Sequence, residues 1–393
     1  MRVFTAKRLY TPLDEIENGW IVVEDGYIVH VASQREKEIP RAASVTDFGD
    51  AILAPGFIDL HIHGGGGYDV MEEDANALPA VERLLAKHGT TSYFPTTVTA
   101  PLDTTLRALE RLADAIESSE TSANDGTVRA KPLGLHLEGP FISHRRRGVH
   151  PENYLLPPKL ETFERLWQAS GGQVKMMTLA PELEGASELI GEAAGRGVCI
   201  SMGHSDANSA AVLAGKRAGA RHVTHTFNAM RPLDHRDPGI LGEALTDGDL
   251  SADIIVDGIH VAPSIVELFV KAKGADNCVL ITDAIAATGM PDGRYRLGTL
   301  EVEVSAGKCV SSGKLAGSVL TMDRAVRNIR QFAGLKLKDA VRFATSNAAR
   351  VAKLEKRGRL EPGAAADFVI LSKEGEVRAT VIGGAVAKPA AQS

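Results

Sequence analysis

Residues 134–141 read GLHLEGPF, an apolar stretch that places a carboxylate at its end and then stops. Apolar and polar residues alternate here, which predicts a β-strand with His136 and Glu138 on one face. Gly139 lets the backbone pass close to whatever Glu138 holds, and Pro140 cannot continue the hydrogen-bonded ladder. A buried carboxylate needs a partner. A metal ion is one candidate; otherwise Glu138 caps the next turn or pairs with a nearby arginine.

Strand-like segments alternate with helical patterns along most of the chain. Eight strands separated by helices over roughly 300 residues are typical of a (β/α)8 barrel. A doubly wound open sheet has the same alternation, but no Gly-x-Gly-x-x-Gly motif opens a helix after a strand, so nothing indicates a dinucleotide. The predicted strands cover 57–63, 91–97, 134–138, 174–179, 198–202, 222–226, 252–257 and 278–283. The predicted helices cover 78–88, 102–120, 159–169, 186–194, 208–218 and 264–273.

Both ends of the chain are rich in β-forming residues. Residues 20–23 and 27–31 flank a Glu-Asp-Gly turn, and residues 366–371 and 377–382 flank a Lys-Glu-Gly turn. Each pair is typical of a β-hairpin. Both ends of the chain are therefore predicted to supply β-strands.

The simplest packing joins the two ends into one small domain. We expect a discontinuous β-sandwich built from residues 1–54 and 355–393, with the barrel domain at residues 55–354 between them. The β-rich segment 295–310 interrupts the alternation and predicts a hairpin inserted after the eighth strand.

The composition is that of a globular protein, with 44% hydrophobic and 24% charged residues in a chain of 393. Affinity for nucleic acid comes from clustered Lys and Arg, so the net charge of -6 argues against such a partner. The basic cluster at residues 145–147 fits a small anionic ligand better than a polymer. Three dispersed cysteines, no apolar leader and no stretch of membrane-spanning length predict a soluble cytoplasmic protein with no membrane contact.

Titratable side chains follow six of the eight predicted strands. The carboxyl ends of parallel barrel strands face one mouth, so these side chains are expected to meet there. Imidazole and carboxylate together suit zinc or iron, so the set predicts a metal site, although any lone histidine or aspartate could instead be a structural or capping residue. The side chains are His61, His63, Glu138, His204, His225, His260 and Asp283. The histidines interpreted as structural are His30, His88, His136, His222 and His235.

These motifs resemble those of a known group of enzymes. His61-Ile62-His63 directly after PGFID, together with a β domain split between the termini, resembles the amidohydrolase superfamily. Seven further motifs resemble one family within it, the N-acetylglucosamine-6-phosphate deacetylases, over almost the whole chain. They are LHLEGPF at 135–141, GHSDA at 203–207, HTFNAM at 225–230, DGIH at 257–260, TDA at 282–284, LAGS at 315–318 and LTMD at 320–323.

The resemblance implies a metal-dependent amide hydrolysis. The expected reaction converts N-acetyl-D-glucosamine 6-phosphate to D-glucosamine 6-phosphate and acetate in amino-sugar catabolism. Glu138, His204 and His225 are implied to hold the principal divalent metal, with zinc or iron expected. Family members differ at His61 and His63; this chain keeps both, so one or two ions are expected per subunit.

The resemblance also implies the groups that move protons and stabilise charge. Asp283 is expected to take a proton from the attacking water and to give it to the departing amine. His150 corresponds to the family histidine that stabilises the tetrahedral oxyanion. The loop at 143–158, rich in Arg, Gly and Pro, is expected to close over the substrate and carry His150 inward.

Substrate binding is implied by a separate set of residues. Asn228, Ala229 and Arg236 match positions that contact the phosphate, and His260 matches a position that contacts the sugar. By the resemblance Arg236 reaches the neighbouring subunit, so a homodimer is expected. Alternatively, Arg236 forms a surface salt bridge to a neighbouring aspartate, and Arg231 is the phosphate ligand.

Other functions fit parts of the sequence. An N-acetylgalactosamine-6-phosphate deacetylase, or a deacetylase of another N-acyl sugar phosphate, would carry the same motifs. Amidohydrolases that act on cyclic amides fit less well, because many bridge two metals with a carboxylated lysine where this chain has a glutamate. A catalytically silent barrel that serves as a scaffold is a further alternative, which the intact set of predicted ligands argues against.

Overall fold

The computed structural model describes residues 1–11, 14–39, 44–121 and 128–387. Its helices are α1 (Ala77–Lys87), α2 (Leu102–Thr121), α3 (Leu160–Ala169), α4 (Ala186–Gly195), α5 (Ser209–Ala218), α6 (Gly239–Thr246), α7 (Pro263–Lys273), α8 (Met322–Phe332), α9 (Leu337–Phe343) and α10 (Ser346–Val351). Its strands are β1 (Arg2–Tyr10), β2 (Glu15–Glu24), β3 (Tyr27–Ser33), β4 (Ser44–Asp47), β5 (Ile52–Pro55), β6 (Phe57–Ile62), β7 (Gly64–Gly65), β8 (Tyr68–Asp69), β9 (Thr90–Thr97), β10 (Lys131–Pro132), β11 (Leu135–Glu138), β12 (Val174–Leu179), β13 (Cys199–Met202), β14 (His222–Val223), β15 (Ser251–Ile255), β16 (Cys278–Ile281), β17 (Gly293–Leu297), β18 (Leu300–Ser305), β19 (Lys308–Ser311), β20 (Lys314–Leu315), β21 (Phe368–Leu371), β22 (Val377–Ile382) and β23 (Ala385–Ala387). Short 3-10 turns lie at His144–Arg146 and Glu152–Tyr154.

Eight parallel strands form the barrel predicted from the sequence: β6, β9, β11, β12, β13, β14, β15 and β16. Strands such as β15 and β16 are buried along their whole length, as expected for a parallel sheet covered by helices. The last strand returns to the first through a parallel bridge between Ile62 and Ala284. The Asp283 N–H also donates to the carbonyl oxygen of His61 at 2.9 Å. The carboxyl ends of all eight strands therefore face one mouth.

The helices that the sequence predicted are present, with boundaries shifted by at most one residue. Helix α6 was not predicted; it has eight residues, two of them glycines, which weakens any helical pattern. Helices α8, α9 and α10, which follow the last barrel strand, were not predicted either. No helix in the described ranges is both long and apolar enough to span a membrane.

Both termini contribute to one small sheet, as predicted. The order is β23-β22-β21-β5-β1-β2-β3, with β4 beside β1. The sheet bends back on itself, because Tyr27 forms a bridge with Ala365 next to β21. Phe4 and Ile21 join an apolar cluster on one face, while Trp20 joins a smaller cluster on the other. The domain boundaries at residues 54/55 and 354/355 stay a prediction.

The insertion after the eighth strand is larger than predicted. It is a four-stranded antiparallel sheet, β17-β18-β19-β20, where the sequence predicted one hairpin over 295–310. The additional strand pairs arise because Ala306-Gly307 and Ser312-Gly313 both adopt positive φ, the backbone of tight hairpin turns. The Gly298 N–H donates to Asp69 Oδ2 at 2.7 Å, which fixes the first turn of the insertion beside the barrel mouth.

Candidate metal centre

A cavity of about 170 Å³ opens at the carboxyl ends of the barrel strands. A larger cavity, of about 450 Å³, lies between α1 and α2 outside the barrel, and its lining contains no histidine among the described residues. The smaller cavity, which histidines and carboxylates line, is therefore the candidate metal site. The polar residues that line it are His63, Glu138, His150, His204, His225, Asn228, His260 and Asp283. The others are Val98, Gly148, Val149, Ala229, Leu297, Leu315 and Gly317.

Glu138, at the end of β11, is the point where the histidines converge. Its Oε1 lies 3.0 Å from His225 Nε2 and 3.1 Å from His204 Nε2. The same oxygen lies 3.4 Å from His61 Nε2, and Oε2 lies 3.3 Å from His63 Nε2. All five side chains are buried. Residues from four different strands or strand ends thus meet at one carboxylate, as the sequence predicted.

Glu138, His204 and His225 have the donor atoms and spacing of a metal site. His204 Nδ1 donates to the Arg146 carbonyl oxygen at 2.9 Å, and because a carbonyl only accepts, a neutral His204 keeps a lone pair on Nε2. That Nε2 lies 3.1 Å from His225 Nε2. Nitrogen and oxygen ligand atoms of the three residues lie within 4.8 Å of one another. Converging lone pairs of this kind fit a divalent cation such as zinc or iron.

His61, His63 and Glu138 form a second group of the same type. Their ligand atoms also lie within 4.8 Å of one another, and the two Nε2 atoms are 3.1 Å apart. His63 Nδ1 donates to the Thr96 carbonyl oxygen at 3.0 Å, which directs the Nε2 lone pair to the cavity. His61 Nδ1 lies 3.3 Å from Thr224 Oγ1. Glu138 belongs to both groups, so the residues present could hold one ion or two.

The charges of the cluster depend on one another. Burial opposes ionisation of Glu138, but the His61 charge and hydrogen bonds from the surrounding imidazoles hold its pKa well below the usual range. Burial lowers the pKa of His204 to about 4. At His225, burial is outweighed by the hydrogen bond to Glu138 and its charge, which raise the pKa to about 9. The imidazoles and the carboxylate therefore set one another's charge, and a bound cation would compete with protons for the same atoms.

Asp283 lies beside the second group, just after β16. Its Oδ1 is 3.2 Å from His63 Nε2 and 3.6 Å from His61 Nε2. Burial raises the pKa of Asp283, but the His63 hydrogen bond and both imidazole charges lower it to about 2. Asp283 therefore carries a carboxylate at neutral pH, next to the converging ligands.

The backbone at this rim is strained in a way that the sequence did not reveal. His204, His225 and Asp283 all have positive φ, of 46°, 26° and 50°. Such conformations are uncommon for residues other than glycine and cluster at functional sites. At the sixth strand this turn begins early, so β14 is two residues long where five were predicted. The left-handed turns bring each side chain into the cavity.

Asp253, which was not among the predicted site residues, lies beneath His225 and holds its backbone. Its Oδ1 accepts the His225 backbone N–H, and its Oδ2 lies 2.8 Å from His222 Nε2. His222 Nδ1 lies 2.8 Å from Ser251 Oγ, so this histidine has the structural role that the sequence predicted. The signal that could have identified Asp253 is its position within β15, a strand that is buried along its whole length, because a buried aspartate needs a polar partner.

Asp59 has a similar position under Asp283, and it was also missed. Thr282, which precedes Asp283, donates its hydroxyl to Asp59 Oδ2 at 2.5 Å. Burial raises the pKa of Asp59 to about 6. His136, predicted to be structural, lies beneath the site with Nε2 2.8 Å from Thr178 Oγ1.

The predicted substrate-binding residues divide into two groups. Asn228, Ala229 and His260 line the cavity. His260 Nδ1 lies 2.7 Å from Asp257 Oδ2, which leaves Nε2 on the cavity side. Arg236 does not line the cavity; it is exposed, on the loop after Met230.

Arg231 and Arg236 lie on the same loop, near the mouth. Arg231 pairs with Asp237 and does not line the cavity, which weakens the alternative that it is the phosphate ligand. The Arg236 backbone N–H donates to Asp234 Oδ1 at 2.8 Å. The alternative was that Arg236 forms a surface salt bridge. Among the ion pairs of the described residues, none involves the Arg236 guanidinium.

Comparisons with known proteins give matches over almost the whole chain. A model of the amidohydrolase family matches residues 52–387. A Bacillus subtilis protein named N-acetylglucosamine-6-phosphate deacetylase is 37% identical over 96% of this chain and 95% of its own length. An Escherichia coli protein named N-acetylgalactosamine-6-phosphate deacetylase is 35% identical over 98% of this chain and 99% of its own length. The solved structure of a mutant N-acetyl-D-glucosamine-6-phosphate deacetylase from Mycobacterium smegmatis, in complex with N-acetyl-D-glucosamine 6-phosphate, has a TM-score of 0.91, with 34% identity over 98% of this chain and 99% of that chain.

Proposed function

This chain belongs to the amidohydrolase family, and we propose that it hydrolyses the N-acetyl amide of N-acetyl-D-glucosamine 6-phosphate, releasing D-glucosamine 6-phosphate and acetate. The observation that carries the proposal is Glu138, shared by two groups of metal-ligand atoms with the carboxylate of Asp283 beside them. Relatives named for this reaction match nearly the whole chain.

We propose that Glu138, His204 and His225 hold the principal ion, with zinc or iron the best fit to their nitrogen and oxygen atoms. The amidohydrolase family is metal-dependent, and a cation held by these residues would supply Lewis-acid chemistry that activates water at neutral pH. His61 and His63 complete a second group with Glu138, so a second ion per subunit is part of the proposal.

Asp283 and His150 are the proposed proton-handling groups. Asp283 is ionised at neutral pH, since its pKa is lowered to about 2, so it can accept a proton at its carboxylate and return it to the departing amine. Amide hydrolysis needs this second transfer, because an unprotonated amine leaves poorly. His150 Nε2, 3.3 Å from Glu138 Oε2, would donate to the carbonyl oxygen as negative charge develops there.

Substrate binding is proposed to need a second copy of the chain. Asn228 and Ala229 would contact the phosphate, and His260 Nε2 would contact the sugar. The described lining of the cavity contains no Arg or Lys, although the substrate carries a phosphate. Arg236 is exposed near the mouth, so we propose a homodimer in which Arg236 of one protomer reaches the phosphate in the other. The three unpaired cysteines support a reducing compartment, which we propose is the cytoplasm.

Acetate release from N-acetylglucosamine 6-phosphate, measured with and without a chelator, tests the proposal. We expect the chelator to abolish release and Asp283→Asn to lower kcat by about 10²–10⁴-fold. Asp114→Asn, an exposed change on α2, is the matched control and should leave kcat unchanged. Full activity of Asp283→Asn would remove Asp283 from its proposed role.

N-acetylgalactosamine 6-phosphate is the second candidate substrate, because a relative named for its deacetylation is 35% identical over almost the whole chain. Both epimers are assayed side by side, and the higher kcat/KM identifies the preferred one. The metal content of the purified protein tests the scaffold alternative, since a silent barrel should carry no stoichiometric metal.

A further inference from the structure

The histidines at the barrel mouth differ in what their second ring nitrogen contacts. His63 Nδ1 lies 3.0 Å from the Thr96 carbonyl oxygen, and His204 Nδ1 lies 2.9 Å from the Arg146 carbonyl oxygen. A carbonyl can only accept, so in a neutral ring the hydrogen is on Nδ1 and the lone pair is on Nε2. Both Nε2 atoms point to Glu138, which is the arrangement of a metal ligand.

His150 has the opposite arrangement. The Thr99 backbone N–H donates to His150 Nδ1 at 3.3 Å, and Thr99 Oγ1 lies 2.8 Å from the same nitrogen. A backbone N–H can only donate, so it requires the lone pair of His150 on Nδ1. The hydrogen of the neutral ring is then on Nε2, which faces the cavity and lies 3.3 Å from Glu138 Oε2.

We propose that Thr99 is a positioning residue that makes His150 a hydrogen donor at Nε2 and prevents it from acting as a metal ligand. This proposal deepens the proposed function, in which His150 donates to the amide carbonyl oxygen. Five histidines line one small cavity, and the contacts of their second ring nitrogens decide which of them offer lone pairs to it. Among the described contacts to Nδ1 of these five rings, that of the Thr99 backbone N–H with His150 is the one in which the partner can only donate.

The residues around Thr99 and His150 hold the two side chains in contact. Thr99 and His150 are both buried, with 3% of each exposed. Gly139 has φ +75°, and a Cβ on it would lie 2.3 Å from Thr99 Oγ1, so glycine leaves the space that the hydroxyl occupies. The His150 ring also packs edge to face on His204, with centroids 4.6 Å apart. The ring is therefore held in orientation from two sides.

Substitution of Thr99 tests the proposal through kinetics. Thr99→Val removes the 2.8 Å hydroxyl contact, and we expect kcat to fall by about 10-fold, less than the loss of a whole oxyanion donor, with KM and metal stoichiometry unchanged. Thr99→Ser should restore kcat. Thr105→Val, a similar change at the start of α2, is the matched control and should have no effect.

A double-mutant cycle distinguishes action through His150 from a general structural effect. In a His150→Gln background, Thr99→Val should cause no further loss of kcat, because the ring that it orients is gone. Equal losses in both backgrounds, or loss of bound metal from Thr99→Val, would overturn the proposal.

The tautomer itself can be observed in the unmodified protein. Two-bond ¹H–¹⁵N spectra of histidine-labelled protein should give His150 a hydrogen on Nε2 and His63 and His204 a hydrogen on Nδ1, with signals assigned from His→Gln variants. A hydrogen on Nδ1 of His150 would overturn the proposal. This measurement needs no substrate, so its outcome is separate from that of the acetate assay, and it does not depend on whether Thr99→Val folds.

Discussion

The terminal sheet and the barrel mouth are both buried, but they bury opposite kinds of side chain. In the sheet, Phe4 and Phe368 pack edge to face with ring centres 5.1 Å apart, and each contributes through apolar area removed from water. At the mouth, Glu138 and its histidines are buried polar groups that cost free energy unless their charges are balanced. Apolar packing in the sheet and balanced charge at the mouth therefore depend on different side chains, and we expect each to respond to its own substitutions.

The largest expected effect is at the carboxylate that both ligand groups share. Glu138→Gln should lower kcat/KM by about 10⁴-fold or more, because a bound cation contributes several kcal/mol to the reaction and the amide is a poor ligand. Bound metal, measured by elemental analysis, should fall in parallel. Glu110→Gln, an exposed change on α2, is the control. If Glu138→Gln kept its bound metal and its activity, Glu138 would not be the shared metal ligand.

The converse test lies in the terminal sheet. Phe368→Ala removes a fully buried ring and should lower the free energy of unfolding by about 3–5 kcal/mol, as measured by urea denaturation. Below the unfolding transition, kcat/KM should stay at the wild-type value. A loss of kcat/KM in the folded variant would mean that the sheet also shapes the mouth.

A smaller effect is expected beneath the ligands. Asp253→Asn leaves one acceptor oxygen for two contacts, the His225 N–H and His222 Nε2, so His225 should be less well oriented. We expect metal affinity to fall by about 10–100-fold, the usual cost of a lost outer contact. Competition with a chelating dye measures it. An unchanged affinity would show that the N–H contact does not position the ring.

The last comparison is with Glu82, a buried acid outside the mouth. Burial raises the pKa of Glu82 to about 7, whereas the histidines hold the pKa of Asp283 at about 2. Folded protein therefore binds a proton at Glu82 that unfolded protein releases above its ordinary value of 4.5. The free energy of unfolding should fall by about 2–3 kcal/mol as pH rises from 4.5 to 7. Asp59, whose pKa burial also raises, contributes to the same slope, so Glu82→Gln should make the slope shallower. A slope unchanged by Glu82→Gln would contradict the raised pKa of Glu82.

Part of the fold and part of the candidate site could be predicted from the sequence, for physical reasons. Barrel strands buried on both faces read as apolar runs, and parallel strands end at one rim, so Glu138, His204 and His225 could be expected to meet. The left-handed backbone at His204 and His225 depends on tertiary contacts and has no local signal. His150 was found only through family resemblance, because a loop residue has no periodicity to place it. Thr99 acts through its backbone N–H and its hydroxyl, and a single threonine outside any motif gives no local signal of such a role.

The arrangement of the terminal sheet also bears on synthesis of the chain. Strand β5 pairs with β1 on one side and with β21 on the other. On a ribosome, the entire barrel emerges after β5 and before β21. The nascent chain must therefore keep one edge of β5 unpaired while some 300 residues are made, and an unpaired edge invites association with other chains. Protection of that edge, by early barrel folding or by a chaperone, becomes a requirement for producing this protein in the cell.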